Sequence, residues 1–459
     1  MSVTALEFPQ AAPVPLGPKG LPILGCAPQV KRDPLGFFSA LAADYDGLAT
    51  VRVGSETVYV LNSPDAFEHL FVSNWRNYRK STFYDKLRPT FGDGIVVSEG
   101  DFWRKQRQLM NPAFHKQSLE RIGETMRRKS REHVSRLRAH GPDESFDMSA
   151  EITDLSIEIV LESLFSSDIA GRTRGVADAV DAMLEIAEKR FWAIPDLHGT
   201  PLSPLYWRHN AARKIFDDIV YGIIERRRQT DAPMPDLLGM LLDARDGDTG
   251  EGMSDTQLRD EVTTLLVTGH ESTANATVWA LYSLAQNPEI MARVQAEIAG
   301  ICGDALPTDA QLREQTYLRQ VIEEAMRLYP PAWTTSRTAI DDDVILGYSI
   351  PAGSNVMVSP HVMHQNPRYW DDPTRFDPDR FAPEVRDRRP KFAYIPFGGG
   401  PRSCIGSNFA MMEMQIAITS LLQAFDLELA QTEPVECEAV ISIRPKDGIQ
   451  FRAIPREAS

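Results

Sequence analysis

The sequence predicts a mainly α-helical fold with a minor β region, and three observations carry that reading. The first is an unbroken helical periodicity from Asp255 to Gln286. Ser254 with Gln257 three positions on forms a capping-box pattern at its start, and Asn287-Pro288 ends it, because proline disfavours further helix before it. About 32 residues at about 1.5 Å rise span roughly 48 Å, enough to cross the whole molecule. The second is the return of helical spacing over 101–140, 146–167, 174–190, 209–229, 288–299, 309–329 and 406–424. The third is that short alternating runs are confined to 48–62, 334–358 and 426–459.

Taken in order, residues 1–28 read as an extended leader, with Pro13, Pro15, Pro18 and Pro22 favouring polyproline geometry. Residues 29–459 read as the working part of the chain. The stretch 48–62 alternates around Gly54-Ser55 and predicts a β-hairpin. Between Asp101 and Arg138 stand eleven Lys and Arg against four Asp and Glu, on a helical pattern. Residues 191–207 are aromatic and broken by proline, which predicts a loop or short helices. Residues 334–358 predict short strands with turns at Gly347 and Pro351-Ala352-Gly353, and 426–459 predict terminal hairpins. A proline-, glycine- and arginine-rich stretch covers 367–403. No internal repeat or low-complexity segment interrupts the pattern.

Composition narrows the function. The chain has 459 residues, 42% hydrophobic and 25% charged, which excludes wholesale disorder, a collagen-like repeat and a polytopic membrane protein. A net charge of −15 excludes a general nucleic-acid binder, since a phosphate backbone needs a positive face. Cys26, Cys302, Cys404 and Cys437 are widely spaced and form no CxxC pair. That argues against a disulfide scaffold, a zinc ribbon and c-type haem attachment, and a reducing cytoplasm is the simplest compartment. The N-terminus holds no apolar run of signal or transmembrane length, so the expectation is a soluble protein with no membrane anchor. Length alone suggests roughly three domains.

The most informative stretch is Phe397-Gly-Gly-Gly-Pro-Arg402-Ser-Cys404-Ile-Gly406, with the spacing F-x-x-G-x-R-x-C-x-G. Glycines on either side of a cysteine let the backbone wrap closely and aim N–H groups at its sulfur. Such donors, a metal cation and the positive end of the helix starting near Gly406 all favour thiolate over thiol. Cys404 is thus built to be a thiolate; the rival reading is a buried, inert cysteine in a glycine loop.

This loop resembles the haem-binding motif of the cytochrome P-450 family of haem-thiolate monooxygenases, in which the thiolate pushes electron density to favour O–O cleavage. The resemblance implies haem b with Cys404 as the proximal iron ligand, Phe397 near the sulfur and Arg402 on a haem propionate. It also reinterprets three weaker motifs.

Glu324 and Arg327 share one helix face, where an exposed pair is the default. With Arg380 in Asp377-Pro-Asp-Arg380-Phe381 they resemble the family's Glu-Arg-Arg triad, implying a role in core stability and haem incorporation. The segment Thr268-Gly269-His270-Glu271-Ser272-Thr273 places a glycine and hydroxyls inside the long helix. It suits either a solvated patch or a bent pocket wall with a proton path. It resembles the family's oxygen-binding groove, which implies Glu271 as the acid, Ser272 as the alcohol, Thr273 as a further catalytic hydroxyl and Gly269 beside the haem. It departs from the family at Thr268, more often Ala or Gly, and at Ser272, more often Thr. His270 reads as a packed residue. Trp103 and Arg107 lie one turn apart and are donors only, so they suit a carboxylate or form a surface cation–π pair. By resemblance they, and Arg337, hold haem propionates. His361 and His364 read as structural, because no further metal ligands stand at useful spacing.

The resemblance covers nearly the whole chain and implies a single mainly α domain, with the long helix over the haem and a small β-rich region. It overrides the count of three domains. It implies a soluble, monomeric, cytoplasmic hydroxylating enzyme that inserts one atom of O2 into a C–H bond. No flavin or iron–sulfur motif is present. Electrons would therefore come from NAD(P)H through a ferredoxin or flavodoxin-type donor, steered by the basic run in 101–138 and by Arg386, Arg388, Arg389 and Lys391. Pocket candidates are Phe83, Leu87, Phe91, Ile95, Val96, Phe191, Leu266, Ala332 and Ile441. Their apolar character favours a lipophilic substrate: fatty acid, terpenoid or steroid-like. Arg79, Lys80 and Arg88 lie nearby, but no carboxylate anchor stands out. The alternatives are a peroxide-using peroxygenase or isomerase, against which Glu271 and Ser272 argue, and a non-enzymatic haem sensor, which needs no proton relay.

Overall fold

The long periodicity folds into one helix, Asp255–Gln286, and Ser254 and Gln257 form the reciprocal capping box at its start. This computed structural model describes residues 13–166, 173–191, 198–229, 234, 236–247 and 249–456. The first twelve residues of the leader, positions 192–197 and the side chain of Phe191 lie outside the described residues. The chain separates into two compact units. One comprises residues up to Thr82, Thr334–Asp371 and Pro390–Ser403; the other comprises Phe83–Trp333, Asp372–Arg389 and the chain from Cys404 onward.

The first unit is built on a five-stranded sheet in the order Gly47–Val53, Glu56–Asn62, Asn355–Val358, Thr335–Ala339, Tyr78–Lys80. The first two strands are the expected hairpin, paired antiparallel from Gly47 with Asn62 to Val53 with Glu56. Their buried residues pack with Phe67, Leu70, Phe71, Phe392 and Ile395. The proline-rich strap is tied to this hairpin, since Thr50 N–H donates to Leu16 O at 3.0 Å. The leader ends a little sooner than expected. A helix begins at Ala27, because Pro28 sits in its first turn, where a missing N–H costs nothing.

In the second unit the long helix packs against Met148–Phe165, Thr316–Leu328 and Ser407–Ala424. Two expected helices are divided. The 101–140 stretch forms Gly100–Met110 and Lys116–Leu137 around a 3-10 turn containing Pro112. The 309–329 stretch forms Asp309–Glu314 and Thr316–Leu328; the Glu297 carboxylate accepts the N–H groups of Tyr317 and Leu318, capping the new start. The helix expected at 209 starts earlier, at Pro204, capped by Ser203. A short helix, Leu237–Asp243, is too brief to show as periodicity. The C-terminal strand Gln450–Pro455 lies between Phe146-Asp147 and Phe425–Leu429. Among the described residues no helix is long and apolar enough to cross a membrane.

Candidate functional site

In the second unit, Cys404 precedes the Ser407–Ala424 helix, whose N-cap is Gly406. Its side chain is accessible, yet the protein around it is close enough to desolvate the thiol. Burial pushes the thiol pKa up, while the Gly406 N–H and the Arg107 guanidinium pull it down. On the protein's own groups burial prevails, so full ionisation needs a further cation at the sulfur. Arg107 feels the converse: burial lowers its pKa and the cysteine raises it. Trp103, one turn earlier on the Gly100–Met110 helix, is buried.

In the first unit, the glycines of the cysteine loop have a second task. Gly400 has φ +65°, and a Cβ there would lie 1.8 Å from Phe71 O. A Cβ at Gly399 would lie 2.8 Å from the Phe392 ring. These glycines therefore let the loop press on the Phe71 segment, whereas Gly406 supplies the N–H to sulfur. Arg337, on the Thr335–Ala339 strand, is 8% exposed. It donates to Thr335 Oγ1 at 3.0 Å and Ser336 O at 2.8 Å and lies over the Phe71 ring. No carboxylate among the described residues pairs with it. A buried cation without an anion is costly, so an anionic group completes it well. Each unit thus offers a group whose chemistry fits haem: in the second a sulfur that wants a metal cation, in the first a buried guanidinium that wants a carboxylate.

The long helix presents Leu265, Thr268, Gly269 and Ser272 at i, i+3, i+4 and i+7, which puts them on one face. Thr268, Gly269 and Ser272 all retain accessible surface. Leu266 is fully buried on another face, with His270 and Thr273; it is core rather than pocket wall. Hydroxyls back-bond along this stretch: Thr268 to Thr264 O, Ser272 to Thr268 O and Thr273 to Gly269 O, at 2.7–2.8 Å. His270 is packed as expected, with Nδ1 at 2.7 Å from Leu266 O. Glu271 accepts from Ser442 Oγ at 2.5 Å, and Asn275 Nδ2 donates to the same Ser442 oxygen at 3.0 Å. Close by, Arg444 bridges Glu188 and Glu438. Burial pushes Glu188 up to about 7 against the pull of Arg444.

Asn275, and the bond that Ser442 makes to Glu271, were not legible in the sequence. Only chance separates a serine 171 positions away from any other, and pairing of the 440–445 turn with the long helix is a tertiary event. Ile441, next to Ser442, is half-buried and Ala332 exposed. Leu87, Phe91 and Ile95 are buried, whereas Val96 and Phe83 are half-buried.

The Glu-Arg-Arg set comes together in full. Arg327 forms a bidentate pair with Glu324 at 2.7 and 2.8 Å and donates to Pro373 O and Arg375 O. Arg380 reaches Glu324 at 3.4 Å, and the Asp377 N–H donates to the same carboxylate. Glu324 and Arg327 are fully buried.

Much of the basic run is neutralised from within. Arg127 pairs with Asp309, Arg128 with Glu162, Lys129 with Glu132, Glu158 and Glu162, Arg131 with Glu124, and Arg136 with Glu158. Arg386 pairs with Glu323, and Arg389 donates to Arg380 O. Arg88 is held by Asp85, Asp93 and Val97 O, so it is not a spare anchor for a substrate carboxylate. His361 and His364 are buried, and His364 Nε2 accepts the Ile395 N–H at 2.8 Å. Among the described residues no cluster of three metal-ligating side chains forms.

A family model described as Cytochrome P450 matches residues 15–451. The chain is 33% identical to cyclooctatin synthase of Streptomyces melanosporofaciens over 415 residues, covering 88% of each protein. It is 32% identical to cytochrome P450 97B2, chloroplastic, of Glycine max over 471 residues, 89% of this chain and 81% of the relative. It is 32% identical to putative cytochrome P450 132 of Mycobacterium tuberculosis over 406 residues, 85% and 86% of the two chains.

Proposed function

The chain belongs to the cytochrome P450 family of haem-thiolate monooxygenases, and from that premise we propose that it inserts one oxygen atom from O2 into a lipophilic substrate, with electrons from a separate redox partner. The observation that carries the site assignment is the convergence of the Gly406 N–H and Arg107 on Cys404 within the F-x-x-G-x-R-x-C-x-G loop. In this reading Cys404 would hold the iron of haem b through its thiolate. Trp103, Arg107, Arg337 and Arg402 would hold its propionates, Phe397 would lie near the sulfur, and Gly269 would leave room for it beside the long helix. Haem bound there supplies the iron at which O2 is reduced and split, a chemistry no side chain here performs.

The chain's own residues then have three tasks. Cys404, desolvated and met by the Gly406 N–H and the charge of Arg107, is favoured as a thiolate by a metal cation, which ties the thiolate to the loaded protein. The accessible surface of Thr268, Gly269 and Ser272 bounds the space for oxygen and an apolar substrate. Glu271 holds its carboxylate on Ser442; once it has taken up a proton from solvent and left that bond, it passes that proton to Ser272 Oγ, which releases its own proton from Thr268 O toward the accessible face. Thr273 shapes the turn, since its proton is committed to Gly269 O.

NAD(P)H-derived electrons would arrive through a ferredoxin or flavodoxin-type protein. With so much of the basic run already paired, its docking would rest on exposed cations such as Arg121 and Arg388. Four cysteines, all free, support a cytoplasmic setting.

The test is the carbon monoxide difference spectrum of the reduced, haem-loaded protein, followed by spin-state titration with lipophilic compounds. A thiolate-type carbonyl band that is lost in Cys404→Ser is the expected result. No haem band, or an imidazole-type band in folded protein, overturns the assignment.

A further inference from the structure

Three consecutive residues of the long helix, Arg259, Asp260 and Glu261, are turned inward, and each is at most 7% exposed. Charged side chains are rarely buried unless they bind something polar. Here they bind the backbone of one loop. Arg259 Nη1 reaches Thr90 O at 3.5 Å and Asp260 Oδ1 at 3.0 Å, while its Nε donates to Asp217 at 2.5 Å. Asp260 Oδ2 accepts the Asp93 N–H at 2.8 Å. Glu261 Oε2 accepts the Ile95 N–H at 3.0 Å.

The loop is shaped for this approach. Gly92 has φ +57°, and a Cβ there would lie 2.1 Å from the Asp260 carboxylate. At Gly94 a Cβ would lie 2.1 Å from Thr264 Oγ1 and 2.8 Å from Asp260 O. No other residue type lets the loop come so near the helix. Gln106 Nε2 holds the same loop from behind, through Asp93 O at 2.8 Å. The glycines, the amides and the two carboxylates therefore form one device.

Its position gives it a task. Gly94 lies against Thr264, eight residues before Ser272, or about 12 Å along the helix axis. Ile95 and Val96, the next residues of the held loop, are apolar.

We propose that Arg259, Asp260 and Glu261 are a clamp that reads the backbone of residues 90–95 and sets where Ile95 and Val96 stand, making the three residues specificity-determining for the substrate. This rests on the monooxygenase reading only for the identity of what the loop faces. The bonds from Arg259, Asp260 and Glu261 to the loop go to its backbone, so loop residues other than Gly92 and Gly94 can vary in size without moving the anchor points. A carboxylate bonded to a backbone N–H is stronger than a neutral acceptor, so the clamp also resists displacement by a tight-fitting substrate.

Glu261→Met removes the acceptor at similar volume, and Glu261→Gln keeps a carbonyl oxygen in its place. Amide hydrogen exchange of the haem-loaded protein should rise at least tenfold at residues 93–97 in Glu261→Met and stay near wild type in Glu261→Gln, with exchange over 407–424 unchanged. Gly94→Ala, which touches neither carboxylate, should loosen the same segment. A series of fatty acids of increasing length, titrated by haem spin state, should change its order of affinity in Glu261→Met. Unchanged exchange in both Glu261→Met and Gly94→Ala overturns the clamp. Faster exchange with an unchanged affinity order overturns its role in specificity. Absence of a thiolate carbonyl band in the wild type would instead defeat the monooxygenase reading and leave the exchange result standing.

Discussion

Ser442 donates its hydroxyl proton to Glu271 across 2.5 Å, and so joins the turn before a C-terminal strand to the middle of the long helix. Asn275, one turn further along that helix, donates to the same serine oxygen. The serine can give only one proton, and the amide fixes where its lone pair points, so the bond to Glu271 is set from both sides. The carboxylate is parked on Ser442 rather than on its neighbour Ser272.

Removing that parking place should change proton delivery more than folding. In Ser442→Ala, Glu271 loses one hydrogen bond, worth about 1.5–3 kcal/mol when the acceptor is charged. The expected outcome is a several-fold change in product formed per O2 consumed and an altered pH profile, with the carbonyl band intact. Ser442→Thr should restore both. An unchanged pH profile in Ser442→Ala would remove Glu271 from the proton path.

Glu413 tests buried charge more directly. It is 3% exposed, and Ser156 Oγ lies 2.6 Å from its Oε1 and 3.0 Å from His270 O. One hydroxyl cannot donate to both acceptors, so the consistent arrangement has a protonated Glu413 donating to Ser156, which donates to His270 O. Burial accordingly pushes its pKa up to about 8. A carboxyl whose pKa is higher in the folded than in the unfolded state keeps its contribution at low pH and loses it as pH rises. The window runs from the ordinary value of 4.5 to about 8, and the full loss is on the order of 5 kcal/mol. Glu413→Gln should flatten this slope, which urea unfolding at pH 5.5 and 8.5 would register. Parallel slopes for the two proteins would show Glu413 to be ionised.

The Glu324 cluster should tolerate almost nothing. Arg327→Ala leaves a fully buried carboxylate with the Asp377 N–H and, at 3.4 Å, Arg380. Breaking a buried pair by removing one partner costs about 3–5 kcal/mol, against a total stability of about 5–15 kcal/mol. The expected product is misfolded or haem-free protein. Normal haem content with an unchanged melting temperature would count against a structural role.

Gly400→Ala should weaken the cysteine loop from the first unit's side, through φ +65° and a Cβ 1.8 Å from Phe71 O. A positive φ alone costs a non-glycine residue about 1–2 kcal/mol. Reduced haem retention at elevated temperature is expected. Gly406→Ala, with open space where its Cβ would go, should be milder. Equal effects would place the strain elsewhere.

How much of this was legible in the sequence depends on how far apart the partners lie. The long helix was legible to the residue, because its capping box, apolar rows and proline stop are all local. So was the cysteine loop, whose sulfur and donor N–H are two residues apart. The divided helices at Pro112 and Glu297 show the limit: proline is visible, but a carboxylate that caps a helix 20 residues away is not.

What the sequence by itself determined was the family, the helical frame and the identity of the chemical groups, since these depend on short patterns of residue type and spacing. Only the tertiary structure decided which groups those residues meet. It set Glu271 on Ser442 and Leu266 in the core. It spent the basic run on Glu132, Glu158 and Glu162, and it turned Asp260 and Glu261 onto a loop more than 160 residues away. The physical reason is that a buried polar group must find a partner wherever the fold brings one, and the chain's periodicity says which face is buried without saying what lies against it.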